Sequence, residues 1–252
     1  IETKALCAVD GIPLYHYFPV DGYLTEDLLE LAKVADRVAV PCVWAKDIVA
    51  KAEPQVGLKT SGVPNGVDLD TFRPLPRDDR AVREWRSAIC PSGKSFVVST
   101  VALCQPRKDL GTTVQIAAKV VKACPEVAFY LQTDFRKMLA YDLDIRHLAK
   151  WYGLKIGKDL VLHDPETAQK YTDAEIAALM NASDLYMQAS VGEGWGLPAF
   201  EAAACGTPVA VADNTAPGSL WPRDAAIFLP VTERWIPHYR LPRHPVLADQ
   251  AA

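Results

Sequence analysis

The chain reads as an α/β protein built on parallel sheets. Three observations lead there. From Phe96 onward, short apolar runs of strand length alternate with amphipathic stretches of helix length. A shorter run of the same alternation occupies residues 25–52. Between Asp184 and Asp213 the residues run through a strand, a glycine-dense loop, a short helix and another strand in immediate succession.

Residues 5–9 suit a strand, and 12–23 (IPLYHYFPVDGY) read as an aromatic, proline-punctuated loop. Thr25 opens a helix whose first turn carries Glu26 and Asp27, with Leu24 placed to staple against Leu29. Leu28, Leu31, Ala32 and Ala35 are expected on its apolar face. Arg37 to Val43 alternates as a strand does, and Trp44 to Ala52 suits a helix. Val63-Pro64-Asn65-Gly66-Val67-Asp68 has the content of a turn, and residues 73–95, rich in proline and charge, suit a linker between domains. The second run predicts a strand at 96–103 and a helix at about 112–124, striped by Val114, Ala117, Ala118 and Val121 and stopped by Pro125. A strand from Val127 to Gln132, a helix around 142–152 and a strand at 160–163 follow. Thr172-Asp173-Ala174-Glu175 is a capping box, flanked by Tyr171 and Ile176 as a staple, and opens a helix to about Ser183. A last strand is expected from Ala226 to Val231, before a tail punctuated by Pro237, Pro242 and Pro245. The expected division is a partial domain at 1–68, a linker at 69–95 and a second domain at 96–252.

Half of the 252 residues are hydrophobic, enough for one or two cores, and the net charge is −4. No basic block appears, which disfavours nucleic acid or an anionic membrane surface as a partner. No apolar run has the length of a membrane span and no signal-peptide pattern opens the chain. The first residue is isoleucine, so the natural start is expected upstream. The six cysteines (7, 42, 90, 104, 124 and 205) are scattered without a C-x-x-C pair. They read as reduced, mostly packed thiols of a cytoplasmic protein, with peripheral membrane association left open.

The stretch 184–213 carries the chemistry. Leu185 to Ala189 suits a buried strand, and in Gly192-Glu193-Gly194-Trp195-Gly196 small residues let the backbone approach a ligand. Pro198 fits the first turn of a helix that continues through Ala199 to Cys205, Gly206 is a natural C′ residue, and Thr207-Pro208 prevents continuation. Pro208 to Ala212 is again strand-like. The free N–H groups and the dipole at the start of that helix make an anion site, flanked by Glu193 and Glu201. Carboxylates repel a phosphate, so they suit hydroxyl groups on either side of it. A ligand with sugar, diphosphate and sugar in series fits, namely a nucleotide sugar. The loops at 105–109, 163–166 and 190–197 each follow a strand, where ligands of parallel sheets bind.

Glu193-Gly194-Trp195-Gly196-Leu197-Pro198-Ala199-Phe200-Glu201, continuing through Ala202 to Val209, resembles the E-x7-E signature of glycosyltransferase family 4. The Val63 to Asp68 turn, with Phe72 and Pro74, is similar to that family's interdomain segment, and Gln105-Pro106-Arg107-Lys108-Asp109 to its basic loop. The likeness runs from about residue 12 to 231 with the landmarks in the family's order. It implies a GT-B fold, two Rossmann-like domains with the active site between them, here a donor-binding domain with the tail of its partner. Where many members carry an arginine a few residues before the lysine, this chain has Leu103 or Cys104, and Arg107 is the available substitute.

The resemblance implies retaining, metal-independent transfer of a hexose from a UDP- or GDP-sugar to a carbohydrate, lipid or protein acceptor, with no cofactor. Glu193 would lie beside the donor sugar, and Lys108 and Arg107 would neutralise the diphosphate leaving group. Glu201 would accept from the ribose hydroxyls, and Gly194, Trp195, Gly196 and Leu197 would offer backbone N–H groups to the phosphates. Against these stand plainer readings: a solvated loop carboxylate, a dipole-favoured Glu201, a packing Trp195 and an ordinary solvated Arg107-Lys108 pair. Asp68-Leu69-Asp70 and Asp142-Leu143-Asp144 match a D-x-D metal motif, but they fall in a turn and a predicted helix, so no metal is indicated. Gly93-Lys94-Ser95 lacks the first glycine of a P-loop and precedes its strand. His163 follows a strand and reads as an ordinary strand-end histidine. A nucleotide-sugar-binding module without turnover is the alternative reading, and a sugar-nucleotide epimerase a third.

Overall fold

The computed structural model describes residues 11–133, 144–162, 171–232 and 245–251. The strand expected at 5–9, the 163–166 loop with His163, and Pro237 and Pro242 lie outside those residues.

A small sheet comes first, ordered β1-β2-β3 and parallel throughout: β1 (Tyr15–Tyr17), β2 (Arg37–Val40) and β3 (Thr60–Gly62). It is flanked by α1 (Glu26–Val34), α2 (Val43–Ala52) and α3 (Pro54–Leu58). Leu29, Ala32, Val38, Val40, Ala45 and Val49 form its core. Two expectations change here. The 12–23 segment is not loop throughout, because Tyr15 to Tyr17 pair with Arg37 to Ala39 at the sheet edge. An edge strand needs no buried alternation, so its sequence shows none. In α1 the buried residues are Leu29 and Ala32, while Leu28 and Leu31 are 55% and 38% exposed. Two overlapping i, i+3 stripes exist in that helix, and contact with the sheet selects between them.

The large sheet has six parallel strands in the order β6-β5-β4-β7-β8-β9. These are β4 (Phe96–Val101), β5 (Val127–Gln132), β6 (Leu160–Leu162), β7 (Leu185–Gln188), β8 (Val209–Ala212) and β9 (Ile227–Leu229). Alternate residues of β5 serve opposite faces: Phe129 and Leu131 pack with α5 (Leu110–Ala123) and α6 (Ile145–Trp151). Tyr130 packs on the other side with α4 (Arg80–Ile89) and α7 (Asp173–Ala182). Burial on both faces explains the near-continuous apolar runs. The Thr172–Glu175 capping box is formed as the sequence predicts.

Residues 69–95 are more than a tether. Asp79 caps α4 by accepting from the Ala81 and Val82 N–H groups, and Val82 and Ile89 are buried against Val97, Leu179 and Ala182. Arg86 Nη1 donates to the Ala182 carbonyl at 2.9 Å and to Asp184 Oδ2 at 2.5 Å, and Asp184 also accepts from the Val97 N–H at 2.8 Å. Proline and charge around the helix hide its two buried anchors from a compositional reading.

After β8 comes α9 (Thr215–Leu220), which packs on α2 and so joins the two sheets, with Ala216 buried in the small sheet's core. A four-residue helix, α10 (Ala248–Ala251), lies beside α5.

Candidate functional site

In the large sheet β4 and β7 are neighbours, with β5 and β6 laid outward on one side and β8 and β9 on the other. The reversal of strand order opens a crevice at their carboxyl ends, where open parallel sheets take ligands. The loop after β4 carries Arg107 and Lys108 and the loop after β7 carries Glu193.

Pro106–Lys108 form a 3-10 turn that ends on Asp109, whose φ of 43° is left-handed. Asp109 caps α5 by accepting from the Thr112 N–H at 3.2 Å and from Thr112 Oγ1 at 2.7 Å. That cap fixes Lys108 one residue before it. Lys108 Nζ donates to Glu193 Oε1 at 2.5 Å, and Ser190 Oγ donates to the same oxygen at 2.7 Å. Arg107 Nη1 donates to Glu193 Oε2 at 2.7 Å, and Arg107 Nε lies 3.4 Å from Asp21 Oδ2. The Val191 N–H donates to the Arg107 carbonyl at 2.9 Å, so the two loops also join through backbone.

Glu193 is 4% exposed. Burial alone would push its carboxyl up, but Lys108 and Arg107 beside it hold it below the usual carboxylate range. Burial pushes the Lys108 ammonium down against the pull of Glu193. The carboxylate is therefore ionised at neutral pH, with both oxygens engaged by the chain's own donors. Two cations face Glu193 and Asp21, so the ligand-free cluster is close to neutral.

Glu201 sits differently. It is on α8 (Leu197–Ala204), and among the described residues none donates a hydrogen bond to its carboxylate. Burial pushes its carboxyl up and Asp173 adds to the shift. The buried Tyr186 hydroxyl, which donates to the Val101 carbonyl at 3.1 Å, feels both acids. Burial raises its pKa first, then Glu193 and Glu201. Glu193 thus accepts three hydrogen bonds from the chain itself, two on Oε1 and one on Oε2, while Glu201 accepts none among the described residues.

At the start of α8, Gly196 is the N-cap at φ 89° and offers no capping side chain, while Leu197 and Pro198 occupy the first turn. A Cβ at Gly196 would come 2.9 Å from Gln188 Nε2. The helix ends as the sequence predicts: the Gly206 N–H donates to the Ala203 carbonyl and the Thr207 N–H to that of Ala202. A Cβ at Gly194 would lie 2.8 Å from Pro19 Cβ and 3.3 Å from the Val20 nitrogen, so the close backbone approach there is to the small-sheet lobe. The Trp195 ring stacks on Phe200 at 5.1 Å and Phe200 on Trp221 at 4.5 Å, an aromatic column beside the loop. Its buried indole N–H has no partner among the described residues.

Asp68 closes its own turn, accepting from the Asp70 N–H at 3.0 Å and from Thr71 Oγ1 at 2.7 Å. Among the described residues no group of His, Cys, Asp and Glu is placed to hold a metal ion, and no helix is long and apolar enough to cross a membrane. Sequence reasoning missed Asp21, Ser190, Asn214 and Thr215. Small hydroxyl, amide and acid side chains carry no periodic signal, and these four come from three places in the chain: Asp21 before α1, Ser190 after β7, and the adjacent Asn214 and Thr215 after β8.

Residues 163–220 match a family model described as "Glycosyl transferases group 1". A curated relative from Segniliparus rotundus, named D-inositol 3-phosphate glycosyltransferase, is 32% identical over 161 residues, covering 64% of this chain and 32% of the relative. One of the same name from Paenarthrobacter aurescens is 31% identical over 152 residues, covering 60% of this chain and 34% of its own. The chain therefore spans about a third of the length of these relatives. Among solved structures, HepE from Anabaena in complex with UDP-glucose superposes with a TM-score of 0.72 at 18% identity, covering 90% of this chain and 60% of that one. Sucrose-phosphate synthase from Thermosynechococcus elongatus gives 0.67 at 20% identity, over 90% of this chain and 63% of that one. The stretch that carries Glu193 and Glu201 is thus similar to glycosyltransferase group 1 proteins, and it is set in an α/β chain whose fold is of the GT-B type.

Proposed function

We propose that the chain binds a nucleotide diphosphate sugar at the β4–β7 crevice and serves retaining, metal-independent transfer of its hexose to an acceptor hydroxyl. The observation that carries this reading is the buried Lys108–Glu193–Arg107 cluster, joined at the switch point of a parallel sheet. The solved HepE structure, of the same fold, holds UDP-glucose, which makes a nucleotide sugar the natural probe.

In this reading the bond between the anomeric carbon and the phosphate oxygen breaks and the electron pair leaves with the diphosphate. Lys108 and Arg107 stabilise the charge that develops on that leaving group, with N–H groups at the start of α8. Glu193 stands beside the sugar, where its negative charge favours a positive anomeric carbon. It also holds both cations in place before the donor arrives. Glu201, whose carboxylate has capacity to spare, accepts from the ribose hydroxyls.

Because the chain spans about a third of its curated relatives, a second reading is a donor-binding module whose turnover requires further protein. Titrating the whole chain with UDP and GDP, alongside Glu201→Ala, tests the donor half. Tight binding of one diphosphate, weakened in the variant, is expected, and binding of neither would overturn both readings. Measuring hydrolysis of UDP-glucose and GDP-mannose beside binding separates transferase from module.

A further inference from the structure

Glu193 is held by more than its two cations. Its backbone N–H donates to Thr215 Oγ1 at 3.0 Å, and its carbonyl accepts from the Ala216 N–H at 3.3 Å. The Thr215 hydroxyl in turn donates to Asn214 Oδ1 at 3.0 Å, and Asn214 Nδ2 donates to the Ser190 carbonyl at 3.0 Å. Ser190 closes the circuit through its hydroxyl on Glu193 Oε1. All four residues are buried. Neither end of the Glu193 residue can shift without breaking a buried hydrogen bond.

Thr215 makes these contacts from an unfavourable backbone. Its φ is 45°, a region where a β-branched side chain is crowded. Among the described residues only two non-glycines have positive φ, Asp109 and Thr215. Asp109 directly follows Lys108, and Thr215 binds the Glu193 N–H. Such backbones persist where surrounding contacts over-determine them. Glycine would adopt this backbone freely but would lack the hydroxyl.

We propose that Thr215, oriented by Asn214, is a positioning residue for Glu193 in donor recognition, fixing its peptide so that the carboxylate meets the sugar while Lys108 faces the diphosphate. The proposal rests on the donor reading above. It also ties that carboxylate to the seam between the sheets, because the next residue, Ala216, is buried in the small sheet's core.

Three variants of the whole chain test it. Thr215→Val keeps the shape and loses the hydroxyl, Thr215→Gly relieves the backbone and loses the hydroxyl, and Thr215→Ser keeps the hydroxyl. Affinity is measured for the diphosphate that the wild type binds, UDP or GDP, and for the matching UDP-glucose or GDP-mannose, together with amide hydrogen exchange at Glu193. Thr215→Val and Thr215→Gly are expected to weaken the sugar nucleotide about tenfold while leaving the bare diphosphate within about twofold, with faster exchange at Glu193. Thr215→Ser is expected to restore both. Equal loss of diphosphate and sugar nucleotide, no loss of either, or failure of the serine to rescue would overturn the proposal. Should the wild type bind no nucleotide, the donor reading fails by itself, and the proposed role in donor recognition goes with it. The exchange measurement then still separates the underlying clamp: unchanged Glu193 protection in Thr215→Val shows that the hydroxyl does not hold that peptide.

Discussion

Lys108 and Glu193 lie 85 residues apart in the chain, and their side chains meet at 2.5 Å with the Glu193 carboxylate 5% exposed and the lysine 10%. A charge pair so deeply buried at the mouth of a parallel sheet, with Arg107 as a third partner, decides how the site behaves when a ligand or a mutation disturbs it.

Removing Lys108 leaves the buried Glu193 carboxylate with Arg107 as its single cation among the described residues. Lys108→Met is expected to destabilise the fold by about 1–3 kcal/mol, less than for a wholly unpaired buried charge. Adding Glu193→Gln to it should recover part of that loss, with a coupling energy of roughly 1–3 kcal/mol in the cycle. Urea denaturation of the wild type, both single variants and the double variant measures this. Additive effects would mean that the pair is not coupled as the geometry requires.

The two glutamates should respond to pH in opposite senses. Glu193 has a depressed pKa, so its contribution to stability is present above the ordinary unfolded value and is lost as pH falls through the depressed one. Glu201 has a raised pKa, so its contribution is complete below the unfolded value and is lost as pH rises through the raised one. Glu201→Gln is therefore expected to raise the thermal midpoint at neutral pH, with the gain vanishing near a pH of about 4. The same variant should weaken the bound ribonucleotide about tenfold and discriminate less between ribose and 2′-deoxyribose forms. Melting curves across pH and calorimetric titration check the two halves separately.

Gly194→Ala should open the seam between the lobes. Its new Cβ would meet Pro19 Cβ at 2.8 Å and the Val20 nitrogen at 3.3 Å, and the second of these is backbone. A cost of about 1–3 kcal/mol in denaturant unfolding is expected, typical of overpacking at a tight contact. Wild-type stability in the variant would show that Pro19 can move aside freely.

Sequence alone determined the α/β class, the strands and helices from Phe96 to Ala212 and the strand at Ile227–Leu229 to within a few residues, and the strand–loop–helix unit around Glu193, but it missed the helix Thr215–Leu220. These features are local. Capping boxes, glycine stops and apolar runs act within one or two turns, so the residues that set them are adjacent in the chain. It also singled out Glu193, Lys108 and Arg107, which the structure brings into one cluster. Tertiary structure decided what lay beyond local reach. Tyr15–Tyr17 became a strand only because Arg37–Ala39 offered an edge, and α1 buried Leu29 in place of Leu28 only because of where the sheet lies. The partners that hold Glu193 (Ser190, Thr215 and, through Arg107, Asp21) come from three separate loops. A single hydroxyl or carboxylate in a loop has no period and no motif, and its role is fixed by the few ångströms that packing places between it and its partner.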